Sequence, residues 1–320
     1  MFRDLEVVVS DNHSTNVAAR LRPSISIGMP VYNGTQFIRE ALDSMLAQTF
    51  TDFELIISDN ASTDDTEAIC REYAAEDTRI RYVRQLVNRG AEANFQFVLD
   101  EAIGTHFMWA AADDKAAVNF VQKLFQSSTE NPEFVLVMSD VMNISDDGRD
   151  LFITRIDNIR MDDVKTNWLK RRFLFFNNPT SNIFFCIYGL FKTEALRTAQ
   201  FNYKNKVKYA TGCEIPLLAQ VSLAGKIGTV PETLKHYRRH RESIFHKESN
   251  EFDVFAVIDN YFNISRVLAS IVVDAALPLS MKTHVLLRLI CRLPWFFSRL
   301  LVGRVIRRLR FALSTKAASK

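Results

Sequence analysis

Residues 24–34 read Ser24-Ile25-Ser26-Ile27-Gly28-Met29-Pro30-Val31-Tyr32-Asn33-Gly34. The short apolar run at the start predicts a strand, and the polar segment from Pro30 to Gly34 predicts the turn that leaves it. Outward from it, Gln36 to Gln48 places Phe37, Ile38, Ala41, Leu42, Met45 and Leu46 on one face of a helix. Phe53-Glu54-Leu55-Ile56-Ile57 is the next strand and ends in Ser58-Asp59-Asn60. Ser62 or Thr63 is expected to cap a helix through Tyr73, with Asp64, Asp65 and Glu67 in its first turn. Arg79 to Arg84 alternates as a strand, Ala91 to Ala102 is helical, and His106 to Ala110 is a fourth strand. Alternating strands and helices with nearly continuous apolar strands predict a parallel sheet covered on both faces.

Such sheets bind ligands beyond the carboxyl ends of their strands. Polar residues gather there: Tyr32 and Asn33 after the first strand, Asp59 after the second, Asn88-Arg89-Gly90 after the third, and Asp113-Asp114 after the fourth. No GxGxxG follows the first strand, and no GxxxxGK[ST] is present. A nicotinamide dinucleotide site and a P-loop are thereby set aside. Carboxylates at Asp113 and Asp114 suit a hard divalent cation that also takes phosphate oxygens. The plain alternative is a solvated helix N-cap.

After the apolar stretch Glu133 to Met138 the order is less regular, and Asp146 to Asn178 reads as a mobile loop region. Helices are expected at Thr193–Ala199 and Glu214–Leu223, strands at Lys226–Val230 and Thr233–His240, and a long amphipathic helix at Phe252–Val273. Leu5 to Thr15 echoes Phe53 to Thr63, an echo without an assigned function. The four cysteines form no CxxC pair, which excludes a zinc ribbon or disulfide scaffold and favours a reducing compartment. Met1 to Arg20 has no long apolar run, so no secretory signal is expected.

The net charge of +3 conceals an asymmetry. Met281 to Lys320 holds ten Lys or Arg and no Asp or Glu, leaving 30 basic against 37 acidic residues elsewhere. That balance does not suit a nucleic-acid binder and points to an acidic body with a cationic attachment device. The tail interleaves arginines with residues such as Leu289, Trp295, Phe296, Phe297 and Leu301, and has no uncharged run of ~18 residues. This fits an interfacial helix on anionic lipid, with packing on the body or on a partner subunit as the alternative.

Taken together, Ile25 to Asn33, Leu46-Ala47-Gln48-Thr49-Phe50, Glu54 to Asp64, Asn88-Arg89-Gly90 and Asp113-Asp114 resemble family 2 glycosyltransferases over residues 24–118. A looser resemblance continues through Ile187 to Phe191, Gly212-Cys213-Glu214 and Tyr237 to His240. It implies an α/β GT-A fold, a mostly parallel nucleotide-binding sheet flanked by helices, with a C-terminal helical extension. It also implies an inverting enzyme that moves a sugar from a nucleotide diphosphate donor, such as a UDP-sugar, to a glycan or lipid-linked acceptor.

By the same resemblance, Pro30, Tyr32 and Asn33 would line the nucleotide pocket, Asp59 would accept a hydrogen bond from the base, and Arg89 would lie near it. Asp113 would contact the sugar nucleotide, and Gly189 would let backbone approach the sugar. Asp114 and His240 would hold Mg or Mn, and Glu214 would be the catalytic base. The first acidic position of the usual Asp-x-Asp is Ala111 here. The expected division is an extension over 1–22, a catalytic domain over 23–248, and a basic amphipathic region over 249–320. The expected location is cytoplasmic, peripheral at the inner face of the plasma membrane, with an oligomer left open. A nucleotidyltransferase and a degenerate sugar-nucleotide-binding subunit are the rival readings.

Overall fold

A computed structural model describes residues 22–156, 182–199 and 214–240, and farther on 262, 266–274, 279, 282–283 and 286. The chain divides into two compact units, Met1–Ile264 and Ser265–Lys320. In the second unit residues 266–274 are helical. Most of the basic tail, the N-terminal extension and residues 157–178 of the expected loop lie outside the described residues.

The first unit is built on one nine-stranded sheet in the order β3-β2-β1-β4-β8-β6-β9-β5, with β7 beside β6. The strands are β1 Ile25–Val31, β2 Phe53–Asp59, β3 Ile80–Arg84, β4 His106–Trp109, β5 Lys115–Ala116, β6 Phe134–Ser145, β7 Asp150–Thr154, β8 Leu190–Lys192 and β9 Lys226–Arg239. The helices are α1 Ile38–Leu46, α2 Thr66–Glu76, α3 Ala91–Asp100, α4 Phe120–Glu130, α5 Thr193–Thr198 and α6 Glu214–Ala224, with a 3-10 helix at Asn182–Tyr188.

The strands β1, β2, β3 and β4 are mutually parallel, as the strand–helix alternation requires. Beyond β4 the sheet is mixed: β8 runs antiparallel to β4 and β6, while β6 and β9 are parallel. The two strands expected at 226–230 and 233–240 are one strand, β9. Its register with β6 shifts around Ser139 and Asp140, where Pro231 and Glu232 stand opposite no partner. Part of the expected mobile region is ordered, because β7 returns along β6 through a tight turn closed by Gly148 N–H on Ser145 O at 3.0 Å.

Ile25, Ile27, Met29 and Val31 face one side of the sheet with Leu55 and Ile57, against Ile38, Leu42 and Met45 of α1 and Phe120, Val121 and Leu124 of α4. Ile56, Phe107 and Trp109 face the other side, against Val98 and Leu99 of α3 and Leu217, Leu218 and Val221 of α6. Period-two alternation thus feeds two helical layers, and full burial of each aliphatic side chain contributes ~1.5–3 kcal/mol. Pro30 falls two residues past Gly28, whose partner Trp109 ends β4, so its missing N–H leaves no gap in that ladder.

His106 begins β4 with its Nε2 3.1 Å from Ser128 Oγ and its ring edge-on to Phe125. Burial, and secondarily the Lys192 charge, depress its pKa to about 4. The unfolded chain therefore takes up this proton near pH ~6.5, before the folded one does. Stability from this group is full above that pH and is lost as pH falls toward 4. The loss is set at ~1–2 kcal/mol after allowance for partial solvent screening. Urea unfolding at pH 7 and pH 4.5 should show the loss in the wild type and a smaller one in His106→Gln. An equal loss in both proteins would remove His106 as its source.

Candidate active site

The carboxyl ends of β1, β2 and β4 lie side by side, because Val31 is paired with Asp59 and Gly28 with Trp109. The turn after β1 folds back toward the residues after β4: a Cβ placed on Gly34 would lie 3.8 Å from that of Ala112. Tyr32 and Asn33 are exposed at this edge and Pro30 is half-buried.

The turn is held by side chains from the segment after β2. Asn33 N–H donates to Ser62 Oγ at 2.9 Å, Gly34 N–H to Thr66 Oγ1 at 2.8 Å, and Thr35 N–H to Asp64 Oδ2 at 3.2 Å. In return Thr63 N–H donates to Asn33 Oδ1 at 2.8 Å. Asn33 adopts φ +52°, a left-handed conformation that Asn tolerates better than most residues. Ser62 and Thr63 therefore do not cap α2 as expected. Asp64 Oδ1 instead accepts Thr66 N–H at 3.1 Å, and the hydroxyl of Ser62 is committed to the β1 turn.

Asp59 is wholly buried, and its carboxylate accepts from Ser62 N–H, the Tyr82 hydroxyl and Arg84 Nη1, each at 2.8 Å. Arg84 stands directly across from Asp59 in the β2–β3 ladder and also donates Nη2 to Ser62 O at 2.8 Å. Burial first, and the hydrogen bond to Asp59 second, push the Tyr82 hydroxyl well above its ordinary range, so it stays a donor. Arg89 is exposed, and its backbone N–H donates to Asn60 Oδ1 at 2.9 Å. Asn60 Nδ2 in turn reaches Asn88 Oδ1 at 2.9 Å, which fixes the Asn88-Arg89-Gly90 loop to the end of β2.

The two adjacent carboxylates after β4 part company. Asp113 is 37% exposed, and its Oδ2 lies 2.8 Å from His240 Nε2. Asp114 is turned inward, where its Oδ2 lies 2.9 Å from Lys235 Nζ and its Oδ1 accepts Arg238 N–H at 2.9 Å. Burial raises the Asp114 carboxyl, and the Lys235 ammonium opposes that rise. Lys235 also lies over the Tyr188 ring at 4.9 Å. Tyr188 is held far above its usual range by burial, and then by the charges of Asp114, Asp113, Tyr237 and Glu214. Glu214 is the first residue of α6 and is half-buried there.

A profile of glycosyl transferase family 2 matches residues 26–196, over half the chain. The chain belongs to that family. An uncharacterized Mycobacterium bovis protein, Mb1547, is 30% identical over 231 residues, 67% of this chain and 58% of its own length. Glycosyltransferase GlyA of Streptococcus pneumoniae is 31% identical over 106 residues, 33% of this chain. The uncharacterized glycosyltransferase EpsJ of Bacillus subtilis is 33% identical over 109 residues, 34% of this chain. The matched stretches span 15% of GlyA and 31% of EpsJ, so the chain covers well under two thirds of these relatives. S. aureus TarS residues 1–349, solved with UDP-GlcNAc, superimposes with a TM-score of 0.64 at 17% identity, over 82% of this chain and 70% of that one. The shared fold is GT-A.

Within this family 2 domain, the structure shows the surroundings of two of the expected residues, Asp114 and Gly189. The carboxylate beside His240 belongs to Asp113, and Asp114 is consumed by Lys235 and the β9 backbone. Gly189 is required by packing: a Cβ there would stand 2.6 Å from Val137 O and 2.7 Å from Leu136 Cδ1. The backbone its missing side chain admits is that of β6, where β8 docks. Arg84, Tyr82, Thr66 and Lys235 escaped the sequence reading, and Ser62 was read only as a helix cap. Of the four, Arg84 carried a signal, as a polar residue closing a strand.

No His, Cys, Asp or Glu cluster of three with metal-binding geometry exists among the described residues. Asp113 and His240 still present one oxygen and one imidazole nitrogen side by side. That pair fits a divalent ion whose other ligands are diphosphate oxygens.

Asp59→Ala strips partners from a backbone N–H, a phenol and a guanidinium at once. We expect a loss of ~2–3 kcal/mol in urea unfolding, discounted because Arg84 is 33% exposed. A loss below ~1 kcal/mol would show that the three donors find other partners.

Proposed function

We propose that this family 2 domain is an inverting glycosyltransferase. It moves a sugar from a nucleoside diphosphate sugar, with UDP as the first candidate, to a hydroxyl of a glycan or lipid-linked acceptor. The observation that carries the reading is the Asp113–His240 pair, set at the same sheet edge as the Tyr32–Gly34 turn and the buried Asp59. Support also comes from TarS, which shares the fold and was solved with UDP and with UDP-GlcNAc.

In this reading Pro30, Tyr32, Asn33 and the exposed Arg89 receive the nucleoside, and Asp113 faces the donor. Asp59, expected to meet the base, is wholly buried with its carboxylate taken by Ser62, Tyr82 and Arg84, and acts beneath the pocket by holding its wall. Asp113 and His240 would hold a Mg or Mn ion, which when bound supplies positive charge to the departing diphosphate. Glu214 accepts the proton of the acceptor hydroxyl. The acceptor oxygen then bonds to the anomeric carbon from the side opposite the diphosphate. The anomeric C–O bond to the diphosphate breaks, and its electron pair leaves with the phosphate oxygen. Attack opposite the leaving group inverts the anomeric centre, and holding both partners in line supplies much of the rate.

Glu214→Gln keeps shape and removes the base. Turnover, read as release of nucleoside diphosphate, should fall by ~10²–10⁴ while nucleotide affinity stays nearly unchanged. Full turnover in this variant would take Glu214 out of the mechanism. Donor binding by the wild type without any turnover would favour a sugar-nucleotide-binding subunit.

The basic tail is assigned to an anionic membrane surface, which would bring the site to a lipid-linked acceptor at the inner face of the plasma membrane. No helix of the described residues is long and apolar enough to cross a membrane. Deleting Met281 to Lys320 should release the protein from anionic vesicles and leave nucleotide binding intact. The electrostatic share, ~1 kcal/mol per basic residue near the surface, should weaken with salt. The share from Trp295, Phe296 and Phe297 should persist. Vesicle sedimentation of both proteins at low and high salt reads this directly. A truncated chain that unfolds would assign the tail to packing instead.

A further inference from the structure

Arg238 is 1% exposed, although a guanidinium stays charged in proteins and buries only among partners. Its Nε donates to Asp113 O at 2.9 Å, its Nη1 to Asp146 O at 2.7 Å, and its Nη2 to Glu40 Oε2 at 2.9 Å. Its flat face lies 4.5 Å from the centre of the Phe37 ring. One side chain near the end of β9 therefore joins the turn after β4, the β6–β7 turn and α1.

These contacts bear on both members of the Asp113–His240 pair. Asp113 is gripped by its main-chain carbonyl, which leaves its partly exposed carboxylate to His240. His240 follows two residues after Arg238, and its ring packs on the same Phe37 ring at 4.9 Å. Phe37 thus touches both the guanidinium and the imidazole. The outer end of the device is Glu40, 51% exposed, which also takes Lys115 Nζ at 3.3 Å. Burial raises the Glu40 carboxyl, but the hydrogen bonds from Lys115 and Arg238 outweigh it and bring it below its usual value.

We propose that Arg238, anchored by Glu40, is a positioning residue that sets Asp113 against His240. The proposal rests on the reading of that pair as the donor end of the site. A lysine cannot replace it, because one ammonium lacks the planar fork that reaches three carbonyl or carboxylate oxygens at once. Arg238 does not meet the leaving diphosphate itself, since its nitrogens are spent inside the protein.

The test compares Arg238→Lys and Glu40→Gln with the wild type in the full chain. Three quantities are read: thermal midpoint, amide exchange of the 110–116 peptide without ligand, and affinities for UDP alone and for Mn in the presence of UDP. We expect faster exchange of 110–116 in both variants. Mn affinity should fall about tenfold or more in Arg238→Lys and about threefold in Glu40→Gln, as for other residues that orient a metal ligand, with UDP affinity within about twofold. A purely structural role would lower the midpoint and leave the ratio of Mn to UDP affinity unchanged, which overturns the proposal. Faster exchange with unchanged Mn affinity overturns it too. If Arg238→Lys fails to fold, Glu40→Gln decides, because its side chain is half in solvent. A wild type that binds neither UDP nor Mn refutes the donor reading, and the exchange measurement alone then judges whether Arg238 holds the turn.

Discussion

The ion pair between Asp114 and Lys235, 2.9 Å apart with both side chains almost wholly buried, ties the two halves of the sheet together. Asp114 follows β4, the last of the parallel strands, and Lys235 lies in β9, on the far side of β8 and β6. Such a pair adds little net stability, because desolvation consumes most of its Coulombic gain. Removing one partner strands a buried charge and costs ~3–5 kcal/mol. Its value here is geometric. With Asp114 drawn inward, the chain direction at the turn leaves Asp113, its neighbour, partly exposed at the carboxyl edge of the sheet. The parallel half contributes Asp113 and the mixed half contributes His240, and the pair forms only if the two halves are in register.

A second constraint works on the other side of the cleft. The turn after β1 carries successive N–H groups that in many nucleotide sites would receive phosphate. Here Ser62, Thr66 and Asp64 accept them. Beneath them the buried carboxylate of Asp59 gathers Arg84, Tyr82 and Ser62. The Tyr32–Gly34 turn is therefore preorganised by its own chain. Ordering entropy is met on folding, and less of it remains to be met on binding.

Much of this was legible in the sequence. The apolar runs at 24–28 and 53–57 and the helical stripe of α1 place the strands, the helices and the carboxyl edge where Tyr32, Asp59 and Asp113 collect, although β1 runs on through Pro30 to Val31, where a turn is expected. Local chemistry suffices there, because a strand buried on both faces and an amphipathic helix each announce themselves within ten residues or so. The reading failed where a residue's duty depends on a distant segment. Ser62 looks like a helix cap until the β1 turn arrives beside it. Gly189 looks like a turn or a sugar contact until β6 is packed on it. Arg238 looks like a basic strand end until α1 closes over it.

What the sequence by itself determined is the family, the parallel half of the sheet and the identity of the polar residues at its edge, since these follow from periodicity and short motifs. What only the tertiary structure decided is which of two adjacent aspartates faces the cleft. Asp113 and Asp114 are chemically identical and one bond apart, so no property of the sequence around them separates their roles. Lys235 and Arg238, more than a hundred residues away, do so: a buried ammonium and a backbone N–H claim one carboxylate, and the other is left to meet His240.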